Sequence, residues 1–376
     1  MNKNVACKFY NSSGQYLGYS EDVITGSFSS AINGGAGSCT IDFPYRFDSF
    51  DSYVSLNNRV DIYVYDDQAP GGTKIYSGFI FDITANVGGT TEKVSVNLAG
   101  FIALLERDVF KNSSGNYIVT ISPQEIAATY KYIIDTFRYN NPTATINYAS
   151  NSVQNTGKSR GITFNNSTYL DDIKSITKLL DPNWFWYLDN SNTFYLSQFS
   201  AVAKHLFYFG KDIVAINDTQ SLSTLQNEVL FWNGLASSDP NYIAKKYSNT
   251  TSIAKYGRAS QLVNDSRFTQ TSSADDYGSR TLGLLSNPTR QVTIDVIDGS
   301  YGMGYDIESI NPGDTFKILN SEVQYNLMVV TSITYNYTSV SITADDYRAY
   351  IERTALALSK NLKASQYTQN APITYA

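Results

Sequence analysis

The chain has 376 residues, with one His, two Cys and a net charge of −6. That length suggests two or three domains, and 42% hydrophobic residues supply a sizeable core and exclude wholesale disorder. The His and Cys counts argue against His-based metal sites, a four-Cys zinc site and a disulfide framework, and the acidic balance disfavours nucleic-acid binding across the whole surface.

The first hundred residues read as strands. Val60–Tyr65 alternates between Asn57-Asn58 and Asp66-Asp67, Lys74–Thr84 follows a Pro70-Gly71-Gly72 turn, and Val94–Leu98 follows Gly88-Gly89. Short strands with Gly turns at this spacing suggest a barrel or sandwich, closed here by a helical turn over Phe101–Leu105. The middle changes character. Ser122-Pro123-Gln124-Glu125 has the form of a capping box with Pro at the first helical position. Ile126, Tyr130, Ile133, Ile134 and Phe137 follow at helical spacing, and the helix should stop before Asn141-Pro142. A second helix starts near Thr168, with Asp171 and Asp172 in its first turn and Leu170, Ile173, Ile176 and Leu180 as its apolar stripe. Trp184–Leu188 and Thr193–Ser197 then form a hairpin about Asp189–Asn192, giving a small α+β unit.

Strand signals return at His205–Phe209, Gln226–Trp232, Gln291–Ile297, Thr315–Leu319, Gln324–Ile333 and Ser339–Thr343. A helix over Ser273–Leu285, weakened by Gly278 and Gly283, interrupts them. A last helix is predicted from Asp345 to about Leu362, with a tail beyond. The two strand-rich stretches are similar in size and show no residue-level repeat.

Candidate chemistry competes with plainer readings throughout. Thr156-Gly157-Lys158-Ser159 matches the end of a phosphate-binding loop, but the Gly required five positions earlier is Ser152, so a surface loop is expected. Asn33–Ser38 is Gly-rich and leads into a strand, as a hairpin turn does. Paired carboxylates occur at Asp66-Asp67, Asp171-Asp172, Asp275-Asp276 and Asp345-Asp346. The last three pairs read as helix first-turn residues complementing the dipole and the first as the start of a turn, so a two-carboxylate glycosidase is disfavoured. His205 lies in an apolar strand with no evident Asp or Ser partner nearby in sequence. Cys7 and Cys39 read as buried thiols on strands. Trp184, Trp186 and Tyr187 are weighed as a sugar-stacking platform against a hydrophobic lid on the preceding helix. Sequons at Asn166 and Asn249 carry little weight, since Met-Asn-Lys-Asn-Val lacks a signal-peptide core. No run of 18 apolar residues is present, so no stable membrane insertion is expected. No catalytic, cofactor or metal residue emerges. The 30 Tyr and only 16% charged residues suit a β-rich protein with a neutral polar surface, as in particle components and carbohydrate binders.

Four segments together resemble the tail-hub (baseplate hub) proteins of tailed bacteriophages and contractile injection systems. Asn58–Asp82 has their strand, loop and strand with a central Gly; Val94–Arg107 has their closing strand and short helix. Thr168–Ser197 has their middle helix, aromatic strand, Asp-Asn turn and second strand. Ile310–Leu319, with Leu327–Tyr335, has the Pro-Gly-Asp strand pair. The resemblance implies a mainly β fold: tail-tube-like β-barrels over 1–108 and 201–345 flanking an α+β insertion over 109–200, then a helix and tail over 346–376. It implies a non-enzymatic virion component, assembled in the host cytoplasm. Three copies would form a ring joining a sixfold tail tube or distal tail protein to a threefold tip, spike or fibre. An obligate ring of this kind would use edge strands and bury more than about 2,000 Å². DNA would pass through its bore without specific binding, which an acidic or neutral lining favours. The C-terminal stripe Tyr347, Ile351, Ala355 and Leu358 would pack on its own barrel or a neighbour, leaving no room for a lytic domain. The alternative is a distal tail or receptor-binding protein that contacts surface glycans through Trp184, Trp186 or Trp232.

Overall fold

A computed structural model describes residues 4–23, 25–44, 53–65, 72–86, 92–144, 146–264, 271–299, 304–321, 325–336, 338–347, 350–351 and 353–354. Asp66-Asp67, Pro70-Gly71, Gly88-Gly89, Ala355, Leu358 and the predicted tail lie outside them. The chain forms two compact units. The larger holds residues up to Ile216 together with Thr293–Ala344; the smaller is built on Asn217–Val292.

The chain is mainly β, as its alternating patterns indicate. The larger unit opens with β1 (Asn4–Tyr10), β2 (Tyr16–Ser20), β3 (Thr25–Ala31), β4 (Gly34–Pro44), β5 (Arg59–Tyr65), β6 (Thr73–Asn86) and β7 (Lys93–Gly100), capped by α1 (Ile102–Arg107). The insertion supplies β8 (Ile118–Glu125), α2 (Ile126–Asn140), β9 (Ser159–Asn165), α3 (Tyr169–Thr177) and the hairpin β10 (Trp184–Leu188) and β11 (Phe194–Gln198). After β12 (His205–Tyr208), the strands β13 (Ile213–Ser221) and β17 (Thr289–Ile297) run to and from the smaller unit. β18 (Thr315–Leu319), β19 (Met328–Asn336) and β20 (Ser339–Asp346) complete the larger one.

These strands hydrogen-bond in the order β13-β17-β20-β19-β3-β4-β7-β6-β5-β1-β2, with β12 and β18 branching from β19 and β10 and β11 from β4. Two closed barrels are the sequence expectation. Among the described residues the path instead has open ends at β2 and β13, and the β3–β19 pairing joins the two strand-rich stretches directly. Period-2 patterning fixes which side of a strand is buried, whereas closure depends on edge partners that such patterning does not encode. The inward side chains follow that period: Cys7, Phe9, Ile41, Phe43, Val60, Ile62, Val96 and Leu98 on one stretch, Val292, Ile294, Val296, Val340 and Ile342 on the other.

The insertion has its own core around Trp186, Tyr130, Tyr169, Phe110, Phe137 and Phe164. Its first helix starts later than the capping box indicates, because Ser122–Glu125 belongs to β8. Pro123 falls where the β8–β9 register slips, a place that tolerates a missing N–H. Glu125 is itself the N-cap, accepting from Ala128 N at 3.3 Å. The second helix begins as expected: Thr168 Oγ1 accepts from Asp171 N at 3.1 Å.

The smaller unit contains the three-stranded sheet β15 (Ala244–Ser248), β14 (Glu228–Trp232), β16 (Ser260–Asn264), with α4 (Thr250–Tyr256) and α5 (Thr271–Leu285). Val229, Phe231, Ile243 and Ala274 are its buried core. Gly278 lets α5 lie against Tyr247: a Cβ there would stand 2.4 Å from the ring. No described helix is long and apolar enough to cross a membrane.

Candidate assembly surface

The Pro-Gly-Asp turn that precedes β18 is the structural centre of the second strand-rich stretch. Gly313 takes φ +87° and donates its N–H to Val330 O at 2.8 Å, while Val330 N returns a bond to Asp314 O at 2.9 Å. A side chain at Gly313 would collide with the Phe185 ring at 2.0 Å, so the turn docks on the insertion hairpin only as glycine. Asp314 then points its carboxylate at β12. It accepts from Lys204 Nζ at 2.9 Å on both oxygens, from Asn311 N at 2.9 Å and from His205 Nε2 at 2.9 Å.

His205 is 3% exposed. Its other ring nitrogen, Nδ1, lies 2.9 Å from the Tyr305 hydroxyl. One tautomer satisfies both contacts: Nε2–H donates to the carboxylate and Nδ1 accepts from the phenol. Burial, then the carboxylates of Asp306, Asp212 and Asp314, push the Tyr305 phenol up, so it stays protonated as a donor. Phe207 and Phe316 close the cluster at 4.8 and 5.3 Å from Tyr305 and Phe207 respectively. His205 is thus a satisfied strand histidine, as its apolar strand suggests, with its partners about a hundred residues downstream rather than nearby in sequence. With both nitrogens engaged, the ring pins β12 to the turn.

Pinning the inner side of β12 turns its other side outward. Leu206 is 46% exposed and Tyr208 44%, beside the exposed Val202, Phe209 and Val214. Among the described residues β12 pairs, in parallel, with β18 alone, Leu206 opposite the exposed Lys317. At the far end of the sheet path, β2 pairs, among the described residues, only with β1; Tyr16 and Tyr19 are exposed, as are Glu21 and Asp22 after it.

The remaining candidates take structural places. Thr156-Gly157-Lys158-Ser159 is a loop entering β9, not a helix: Thr156 Oγ1 donates to Glu125 Oε1 at 2.6 Å, and Gly157 takes φ +68°. Asn33–Ser38 turns from β3 into β4. Asn33 N donates to Trp186 O at 2.7 Å, and a Cβ on Gly35 would reach within 2.8 Å of Leu188, so this Gly-rich run seats the hairpin. Of the acidic pairs, Asp171 caps within the first turn of α3. Asp275 lies beyond the first turn of α5 and pairs with Lys245 at 2.7 Å, and Asp345-Asp346 ends β20 rather than starting a helix, because that ladder runs further than its alternation indicates. Cys7 and Cys39 are buried free thiols, both pushed up by burial.

Trp184 and Trp186 are buried, Trp186 stacking on Phe194 at 5.6 Å, which removes them as a glycan platform. Trp232 is 39% exposed. Tyr187 stacks on Tyr195 at 4.9 Å. Asn166, at φ +50°, is a turn residue, and Asn249 caps α4. Among the described residues no three His, Cys, Asp or Glu side chains are grouped to hold a metal. The carboxylate that the sequence missed as chemically distinct is Asp172. Burial pushes it up to about 7, with the Ser167 hydroxyl bond opposing and Asp171 adding; its second oxygen is buried with no partner among the described residues. A doubly acidic first turn hides which of the two faces inward.

Residues 202–344, which include this whole cluster, match the family described as prophage endopeptidase tail. No curated protein sequence matches the chain. The fold is similar to that of the 43 kDa tail protein of prophage MuSo2 from Shewanella oneidensis, with a TM-score of 0.64 and 11% identity over 93% of this chain and 99% of that one. It is also similar to a tail protein from Neisseria meningitidis (TM-score 0.59, 10% identity, 93% and 98% covered) and to prophage tail protein gp18 from Listeria monocytogenes (0.51, 12%, 96% and 99%). The fold is that of phage tail proteins, and residues 202–344 match a prophage tail family. The resemblance to tail-hub proteins read from the sequence is thereby borne out at the level of the tail-protein family.

Proposed function

We propose that this chain is the hub of a phage tail. Three copies form a ring that joins a sixfold tail tube or distal tail protein to a threefold tip, spike or fibre. The strand-rich stretches 1–108 and 201–345 supply two lobes per copy, six in the ring, and DNA passes through the bore without specific binding. The single observation that carries the reading is the whole-chain likeness to tail proteins, to which the matched segment 202–344 adds a rigidly held strand with an outward apolar face. The role is structural rather than enzymatic, a reading supported by the whole-chain likeness to tail proteins. The protein resides in the virion, after assembly in the host cytoplasm. Gold-labelled antibody against the chain, applied to virions, should mark the tail tip. Label along the tube or on the capsid would overturn the assignment.

A further inference from the structure

We propose that copies of this chain associate edge to edge, with β2 of one copy docking against β12 of the next. The proposal rests on the ring reading above and names the surfaces that would build it.

The first observation is unpaired backbone. Among the described residues β2 pairs only with β1 and β12 only with β18; at the end of β12 the Tyr208 N–H already donates to Asp212 Oδ2 at 2.9 Å and its C=O accepts from Lys211 N and Asp212 N, so the open part of that edge is His205–Phe207. An edge strand presents a row of free N–H and C=O groups, which folded proteins blunt with charge, proline, a bulge or a cover. Neither strand contains a proline or a charged residue on its outward side, and the one irregularity, a register shift at Phe9/Tyr10 in the β1–β2 pair, brings Tyr16 to the same side as Tyr19: β12 presents Leu206 and Tyr208, β2 presents Tyr16 and Tyr19, the last 60% exposed.

The second observation is charge. Lys211 and Lys317, both exposed, flank the apolar face of β12. Lys317 stands opposite Leu206, and Lys211 follows the strand by three residues, 5.9 Å from the Tyr208 ring. β2 runs directly into exposed Glu21 and Asp22. An apolar edge with Lys317 and Lys211 beside it, the latter 4.0 Å from Asp212, therefore faces an aromatic counterpart that has Lys8 opposite Tyr19 and carboxylates at its end. Such opposition fixes register and suppresses wrong pairings.

The third observation is placement. β2 ends one side of the sheet path, whereas β12 hangs from β19 through β18 on the far side of β3. Two different patches that fit each other make a head-to-tail contact, which closes into a ring when the rotation allows. The rigidity of β12 favours this use. His205, Tyr305 and Asp314 hold its inner side before any partner arrives, so little ordering is left to be lost on docking.

Charge reversal tests the pairing. The double variant Lys211→Glu with Lys317→Glu should weaken self-association at least about tenfold by light scattering, as should Glu21→Lys with Asp22→Lys. All four sites are exposed, so the circular dichroism of each variant should match the parent. Combining the four changes in one chain restores opposite charges across the contact and should recover the parent mass. As a second readout, a chain carrying Tyr19→Cys and Tyr208→Cys should form disulfide-linked multimers on oxidation, while each single change gives none; the native thiols are buried. A parent ring left unmoved by both reversals, without recovery or crosslinking, overturns the pairing and leaves the hub reading standing. A parent chain that is monomeric at every concentration, alone and beside tube protein, overturns both.

Discussion

The insertion between α1 and β11 and the module between β13 and β17 use the same parts, helices against short strands, and finish differently. The insertion buries Trp186, Tyr130, Tyr169 and a ring of phenylalanines, and places its tryptophans inside. The smaller module buries Val229, Phe231, Ile243 and Ala274 on one side of its sheet and leaves Leu230, Trp232 and Leu262 exposed on the other. Leu230 and Leu262 are direct neighbours in the β14–β16 register. One segment is stabilised by its own core; the other keeps an apolar sheet face in water. The difference teaches that aromatic content alone does not mark a binding surface here. The tryptophans that look most like a platform in the sequence are the ones the fold hides.

The largest effect expected on this contrast is at the insertion core. Trp186→Ala should cost about 3–5 kcal/mol in chemical denaturation, since a fully buried indole leaves a cavity that its neighbours cannot fill. A loss below about 1 kcal/mol would mean that the insertion core is not what holds this region. Next comes the pin beneath β12. Asp314→Ala leaves the His205 Nε2–H and a backbone N–H without their acceptor and should cost about 1–3 kcal/mol. Asp314→Asn, which keeps an acceptor, should cost less.

A smaller, pH-dependent effect is expected at Asp172. Its folded value of about 7 lies above the ordinary value of 3.8, so the native chain holds a proton that the unfolded chain releases. That contribution is in place at acid pH and is lost as pH rises from about 4 through about 7. Thermal melts of Asp172→Asn should therefore show a gain of about 1–2 kcal/mol over the parent at pH 8, shrinking towards pH 5. The opposite slope would refute the burial argument. The smallest effect belongs to the open face of the smaller module: Leu262→Ala should change stability by less than about 0.5 kcal/mol. A larger loss would show that this face is covered.

Local features were legible in the sequence to the extent that a nearby residue creates them. The Thr168 cap, the Asp189 turn, the alternation of β5 and the stop at Asn141 each depend on contacts within a few positions, and each lies where the pattern places it. The Ser122 capping box failed because β9 offered β8 a ladder, and that partner lies beyond any local window. The His205–Asp314 contact spans 109 residues and Tyr305 adds another distant group, so no spacing rule reaches it. The Pro-Gly-Asp turn was visible as a motif, whereas the reason for its glycine, the Phe185 ring, comes from the insertion. Barrel closure was misjudged for the same reason, since edge partners are not written in the alternation of a strand.

The central claim, a hub that assembles as a ring of three, is tested most directly by solution mass from light scattering, with negative-stain images of the same sample. The account predicts a species near 125 kDa, three times the chain mass of 41.7 kDa, with a central hole. A chain of single mass with no ring at any concentration, including in the presence of tube protein, would contradict it.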